Sequence, residues 1–387
     1  MRVAHFFSAY NSLGGVQSVL QFHMQRDAAN GCESELFVYN EAKTDSFERV
    51  HYIGPVGLQS IASARAKARR HLSSLRPEIA VYHGMWGMPA FADLDGASRR
   101  ILVIHGDVPS LDEQLLQRAP WLDAVFCVSE PLQRRLREEV LGWDKERIGL
   151  LPYPICPVED TLPERAPLQG RPLVIGFAGR LQKEQKRVER IPSLIRELEI
   201  AGISFRFELL GSGRDQSWLE SQLSGCPQVH FHGQQSGARY WRVLRGWDVI
   251  FFASDYEGLP ISLLEALSQG VIPLYPEIGC GGHQYTGKIN PCLLYPPGMM
   301  GRAAAAIKRI QCEEGKSVQL LREKCRSIVM PHLGDEYIKT FVAHLRHIGE
   351  LPSIVTAEFP RRSWIDDSCL LSLKNKFLAA RRRWKGN

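Results

Sequence analysis

Four side chains between residues 180 and 265 of this 387-residue chain have types and spacings suited to group transfer. Gly176-Phe-Ala-Gly179-Arg180 ends a short apolar run, and Lys186 follows the arginine. A glycine such as Gly179 lets backbone come close to a ligand. Arginine forks two phosphate oxygens, and lysine adds a compact point charge. The pair suits a diphosphate leaving group whose negative charge grows as a bond breaks. Further on, Glu257-Gly258-Leu259-Pro260 runs into Ile-Ser-Leu-Leu-Glu265, closed by Gly270. Seven residues lie between the glutamates, about two helical turns, so both can face one ligand. Carboxylates accept hydrogen bonds from vicinal hydroxyl pairs. Leu263, Leu264 and Leu267 make the stretch apolar, so a glutamate inside it is costly without a partner. Taken singly, each motif also fits a turn with solvated charges or a helix with exposed glutamates.

The elements around these residues alternate. Val3–Phe7 reads as a strand, then comes a loop with Gly14 and Gly15, then a helical pattern from Val16. Further buried strands are expected at 35–39, 79–82, 101–104 and 124–128, with a basic helix near 61–75. Pro152, Pro154, Pro157, Pro163 and Pro167 then break the pattern. It restarts with strands at 173–177, 204–210, 249–253 and 271–275, and helices at 188–201 and 260–269. Short apolar runs alternating with helices indicate βαβ units and parallel sheets. The expected fold class is α/β: two Rossmann-like, doubly wound domains facing a central cleft, with ligands at the carboxyl ends of the strands. The expected division is 1–155, a linker 156–170, 171–333, a helix 334–350 returning to the first domain, and a basic tail 351–387.

Composition narrows the class. Hydrophobic residues make up 44% and charged residues 23%, as in folded globular proteins. No apolar run is long enough to span a membrane, and the N-terminus lacks a secretory pattern. The nine cysteines include no CxxC pair, which argues for reduced thiols and a cytoplasmic setting and against a structural zinc cluster. The net charge of +6 belongs entirely to residues 361–387, which carry eight Lys or Arg against Asp366 and Asp367. Basicity confined to one tail argues against a nucleic-acid groove.

In their order and spacing, the Gly-x-x-Gly-Arg…Lys and Glu–seven–Glu elements resemble those of the family 4 glycosyltransferases, which have the GT-B architecture. The resemblance extends from Gly14-Gly15 to about residue 349. It implies that Arg180 and Lys186 bind the donor diphosphate, Glu265 the ribose hydroxyls and Glu257 the donor sugar. Gly14, Gly15 and Val16 would approach phosphate and sugar through unpaired N–H groups. Gly211 and Gly213, with His232 and Gly233, match loops bordering the base and ribose. Gly258, Leu259 and Pro260 would line the sugar and phosphate side. His105 ends a strand where, by the resemblance, the family often has a histidine facing the transferred sugar, with His83 the other candidate; by itself each also fits a satisfied structural histidine. Ser129 and Glu130 could border the cleft, and Gly281-Gly282 match a small-residue turn. The chain departs from the family in having Glu-Gly-Leu-Pro-Ile-Ser between the glutamates, and His283-Gln284-Tyr285 after Gly282.

The resemblance further implies a retaining reaction that requires no metal or other cofactor. The substrate would be a nucleotide sugar, UDP- before GDP-, and the acceptor a glycan or lipid-linked species of an envelope polysaccharide or lipopolysaccharide. Leu370, Leu373, Phe377, Ala380 and Trp384 form one helical stripe among basic residues, which suits an anionic membrane surface. Two other readings share these motifs: a GT-B epimerase or phosphorylase, and a non-catalytic membrane-bound binder of nucleotide sugar or glycan.

Overall fold

The computed structural model describes residues 1–11, 14–43, 47–54, 59–85, 87–155, 167–168, 170–333 and 335–356. Most of the expected linker and the basic tail lie outside the described residues.

The strands of the first sheet are β1 Arg2–Phe7, β2 Glu33–Val38, β3 Val50–Tyr52, β4 Ile79–Tyr82, β5 Arg99–Ile104, β6 Ala124–Cys127 and β7 Ile148–Leu150. Those of the second are β8 Leu173–Ala178, β9 Phe205–Leu210, β10 Val229–Gly233, β11 Val249–Phe251, β12 Ile272–Pro276 and β13 Leu294–Tyr295. The spatial orders are 3-2-1-4-5-6-7 and 10-9-8-11-12-13. Every pairing within the two sheets is parallel. Each sheet thus reverses its winding once, between β1 and β4 and between β8 and β11. Those are the points where an open α/β sheet leaves a crevice at its carboxyl end.

Helices α1 Gly15–Arg26, α2 Ile61–Leu75, α3 Met88–Phe91, α4 Leu111–Leu116 and α5 Glu130–Arg135 belong to the first half. In the second half are α6 Arg190–Ile200, α7 Gln216–Leu223, α8 Gly237–Arg245, α9 Ile261–Ser268, α10 Gly281–Ile289, α11 Met300–Cys312 and α12 Gly315–Ile328, followed by α13 Glu336–Glu350. Helices cover both sheet faces, so central strands such as Leu173–Ala178 are buried throughout and read as unbroken apolar runs.

The chain passes between the halves twice, and the two passages are joined. Ile155 N donates to His332 O at 2.9 Å, and Ile155 and Leu333 form a parallel bridge. Beyond it, α13 lies on the first sheet: Tyr337 meets His23, His344 Nε2 reaches Leu150 O at 3.2 Å, and Arg99 binds carbonyls at 348–351.

Two segments differ from the sequence reading. Pro260 precedes α9 instead of starting its first turn, with φ −64° and ψ 124°. Glu257 therefore sits in the segment between β11 and α9 rather than two helical turns from Glu265. The expected loop around Phe231-His232-Gly233 is the end of strand β10. Its alternation is masked because none of its residues is fully buried.

Candidate active site

The carboxyl ends of β8 and β11 bring three of the four expected polar residues into one network. Glu257 is buried, with 6% of its surface exposed, and is surrounded by donors. Lys186 Nζ donates to its Oε1 at 2.5 Å and Ser254 Oγ to the same oxygen at 2.6 Å. Gln185 Nε2 donates to Oε2 at 3.2 Å, while Gln185 Oε1 accepts from Arg180 Nη2 at 3.1 Å. A buried carboxylate is tolerable only with such partners. Arg180 is exposed at the edge of this cluster. Gln185 and Ser254 were missed from sequence; their proximity to Lys186 and Glu257 was the only signal.

Glu265 stands apart from this cluster. It is half-buried in α9, and its Oε2 accepts a hydrogen bond from the Tyr240 hydroxyl of α8. Burial raises its carboxyl to about 7, against the opposing pull of that hydrogen bond. Tyr240 was not foreseen, because α8 is strongly amphipathic and an aromatic there reads as core.

Glycines form the rim. Gly179 N donates to Leu210 O at 3.0 Å and Gly211 N to Gly233 O at 2.8 Å, so the turns after β8, β9 and β10 are stitched together. Gly211 has φ 133°, and a Cβ there would lie 2.0 Å from Gly179 O. Gly213 packs as tightly on Leu181 O, at 2.3 Å. Beside them, Gln235 Nε2 donates to His232 O at 2.7 Å.

The opposite wall comes from the first domain. Gly14 caps α1, and Gly15 and Val16 begin it. A Cβ on Gly15 would lie 3.1 Å from Ile261 Cδ1 of α9. One on Gly258 would lie 2.6 Å from His105 O, and one on Gly281 2.7 Å from Ser129 Cβ. Gly258, Leu259 and Pro260 are buried in this seam. Gly15, Gly258 and Gly281 thus set how closely the domains approach. Glu130 binds Gln284 and pairs with Lys288 across the same seam.

His105 is committed on both ring nitrogens. Its Nδ1 lies 2.8 Å from the Tyr153 hydroxyl and its Nε2 3.2 Å from His83 Nδ1. His83 Nε2 in turn lies 2.9 Å from His5 Nδ1. Burial lowers the His5 and His83 imidazoles, and lowers His105 to about 3, with His23 adding to the effect there. Both histidines singled out from sequence belong to this row; His5, inside a strand, gave no signal.

With this geometry in hand, residues 158–326 match the family model described as "Glycosyl transferases group 1". The match runs from the linker through the second sheet to α12. The chain is 32% identical over 149 residues to a 2-deoxystreptamine glucosyltransferase of Streptomyces kanamyceticus, covering 37% of each. The first four curated relatives are matched over only 27–47% of their own length. Among solved structures, the apo form of a lipopolysaccharide outer core galactosyltransferase, WaaB, superposes with a TM-score of 0.70 at 17% identity, covering 89% of this chain and 99% of that one. A pneumococcal O-GlcNAc transferase, GtfA, in complex with UDP and GlcNAc, does so with 0.70 at 12%, covering 90% and 99%. The two sheets and their helices thus share the GT-B fold of these structures.

Proposed function

We propose that the chain is a retaining glycosyltransferase that moves a hexose from a UDP-sugar onto a glycan or lipid-linked acceptor of an envelope polysaccharide or lipopolysaccharide. The observation that carries this reading is the grouping of Arg180, Lys186 and Glu257 where β8 and β11 diverge, with Glu265 one element away. UDP is favoured over GDP by analogy with the GtfA complex, and the envelope acceptor by analogy with WaaB.

Arg180 and Lys186 take the diphosphate, and their charge stabilises it as the sugar bond lengthens, so no metal is required there. Engaging the diphosphate frees Glu257 from Lys186 to accept from sugar hydroxyls. Glu265 accepts from the ribose. The acceptor hydroxyl attacks the face that the nucleotide leaves, through an oxocarbenium-like state, and the departing phosphate takes its proton. Positioning and charge stabilisation supply the rate. The glycine seam brings the acceptor domain close enough to exclude water. No helix among the described residues is long and apolar enough to cross a membrane. The basic tail, 361–387, would bring this cytoplasmic enzyme to an anionic membrane surface.

Thermal-shift screening against UDP, GDP, ADP, CMP and their sugar conjugates tests the donor, since a ligand of the folded state raises the melting temperature. The expected result is a shift with UDP and its conjugates, followed by acceptor-dependent UDP release and a product of retained configuration. An inverted product, or turnover that needs added Mg²⁺ or Mn²⁺, would overturn the mechanism. Binding without release of UDP for any acceptor would favour a sugar-binding module.

A further inference from the structure

The histidine row behind the site ends in the core of the first domain beside Asp27, where three metal-ligating side chains converge. At the cleft end, the Tyr153 hydroxyl donates to His105 O at 3.2 Å and lies 2.8 Å from His105 Nδ1. A hydroxyl has one proton to give. Given to His105 Nδ1, it orders the row so that His5 Nε2–H faces Asp27; given to the carbonyl, it leaves His105 Nδ1–H as donor to the tyrosine oxygen and reverses every proton along the row. His105 Nε2 is then bare and accepts from His83 Nδ1–H at 3.2 Å, and His83 Nε2 accepts from His5 Nδ1–H at 2.9 Å. His5 is left with a lone pair on Nε2.

That nitrogen is fully buried and has no hydrogen-bond partner. It faces Asp27 Oδ2 at 3.5 Å. In this second order two electron-rich atoms face each other in a dry interior, an arrangement that a cation bound between them stabilises. On the other side of Asp27, His23 Nδ1 lies 3.0 Å from Oδ1. One ligand atom from each of His5, His23 and Asp27 fits within a span of 4.8 Å. An ion with bonds of about 2.0–2.2 Å closes that span with shifts below about 1 Å.

We propose that His5 Nε2, His23 Nδ1 and the Asp27 carboxylate hold a divalent transition-metal ion, Zn²⁺ by the donor set. Two imidazoles and one carboxylate suit zinc. The surrounding partners orient the ligands as metal-bound imidazoles are oriented. His5 Nδ1–H donates to His83, His23 Nε2 meets the Tyr337 hydroxyl at 3.0 Å, and Ser34 Oγ donates to Asp27 Oδ2 at 2.5 Å. The ion would tie β1, α1 and α13 together and fix the proton order of the row as far as His105. This site lies in the domain core, away from Arg180 and Lys186, and it does not depend on the donor chemistry proposed above.

Full-length protein purified without chelator or a nickel column is assayed for metals by mass spectrometry. About one equivalent of zinc per chain is expected. Stripping with dipicolinate should lower the melting temperature by several degrees, and ZnCl₂ should restore it. Folded Asp27→Asn and His5→Gln variants should lose both the metal and the restoration. Wild-type protein gives a second readout should those variants not fold. CoCl₂ added to stripped protein should produce visible d–d bands, and ¹⁵N spectra should place the His105 proton on Nδ1. Metal-free protein that shows neither a melting shift with ZnCl₂ nor a band with CoCl₂ overturns the proposal. So does an unchanged zinc content in folded Asp27→Asn, or a His5 ring carrying protons on both nitrogens at neutral pH.

Discussion

Lys186 Nζ and Glu257 Oε1 are 2.5 Å apart, so the cation expected on the diphosphate and the carboxylate expected on the sugar hold each other. A donor that engages either must release the other. Lys186→Met and Glu257→Gln should each lower kcat by about 10²-fold. The double variant should lose little more, because removing one partner already disables the unit. Strictly additive losses in steady-state kinetics would show the two residues acting independently.

Arg180 is exposed, and among the described residues its side chain hydrogen-bonds Gln185, so its removal leaves little stranded in the fold. Arg180→Ala should cost about 10²-fold in kcat and much less in nucleotide affinity, because its charge matters most as the leaving group departs. A melting temperature within about 1 °C of wild type and a UDP dissociation constant within about threefold are the controls. Equal losses in binding and turnover would move Arg180 to a ground-state role.

Glu265 gives a pH signature. Burial raises its folded-state carboxyl to about 7, above its unfolded value. The group therefore favours the folded chain at low pH, and that contribution is lost as pH rises through about 7. Ribose hydroxyls donating to the carboxylate favour its charged form, so nucleotide binding should release a proton near pH 6.5 and none near pH 8.5. Calorimetry in buffers of different ionisation enthalpy reads this directly. Glu265→Gln should abolish the release, and Glu265→Ala should weaken nucleotide binding by about tenfold or more.

Gly258 is the closest point of the seam, where a Cβ would meet His105 O at 2.6 Å and Val128 Cγ2 at 3.0 Å. Neither neighbour is a flexible side-chain end, so Gly258→Ala must move the domains apart or strain the segment. The expected cost is about 1–3 kcal/mol in stability. Turnover should fall by about 10²-fold, because a displacement of about 1 Å disrupts positioning. Wild-type turnover in this variant would show that domain approach does not limit the reaction.

The α/β fold class and the candidate site residues were legible in the sequence. Those follow from local physics: buried parallel strands read as apolar runs, prolines interrupt them, and Arg180, Lys186, Glu257 and Glu265 stand after strands or inside an apolar helix. Tertiary structure alone decided what those residues touch. That Lys186 meets Glu257, that Tyr240 rather than solvent meets Glu265, and that Gly258 abuts His105 depend on the angle between sheets and domains, which no local pattern carries. The same holds for His5, His23 and Asp27. Each is unremarkable in its own element, and only the packing of α1 and α13 on β1 brings them, with His83 and His105 beyond, into one buried row.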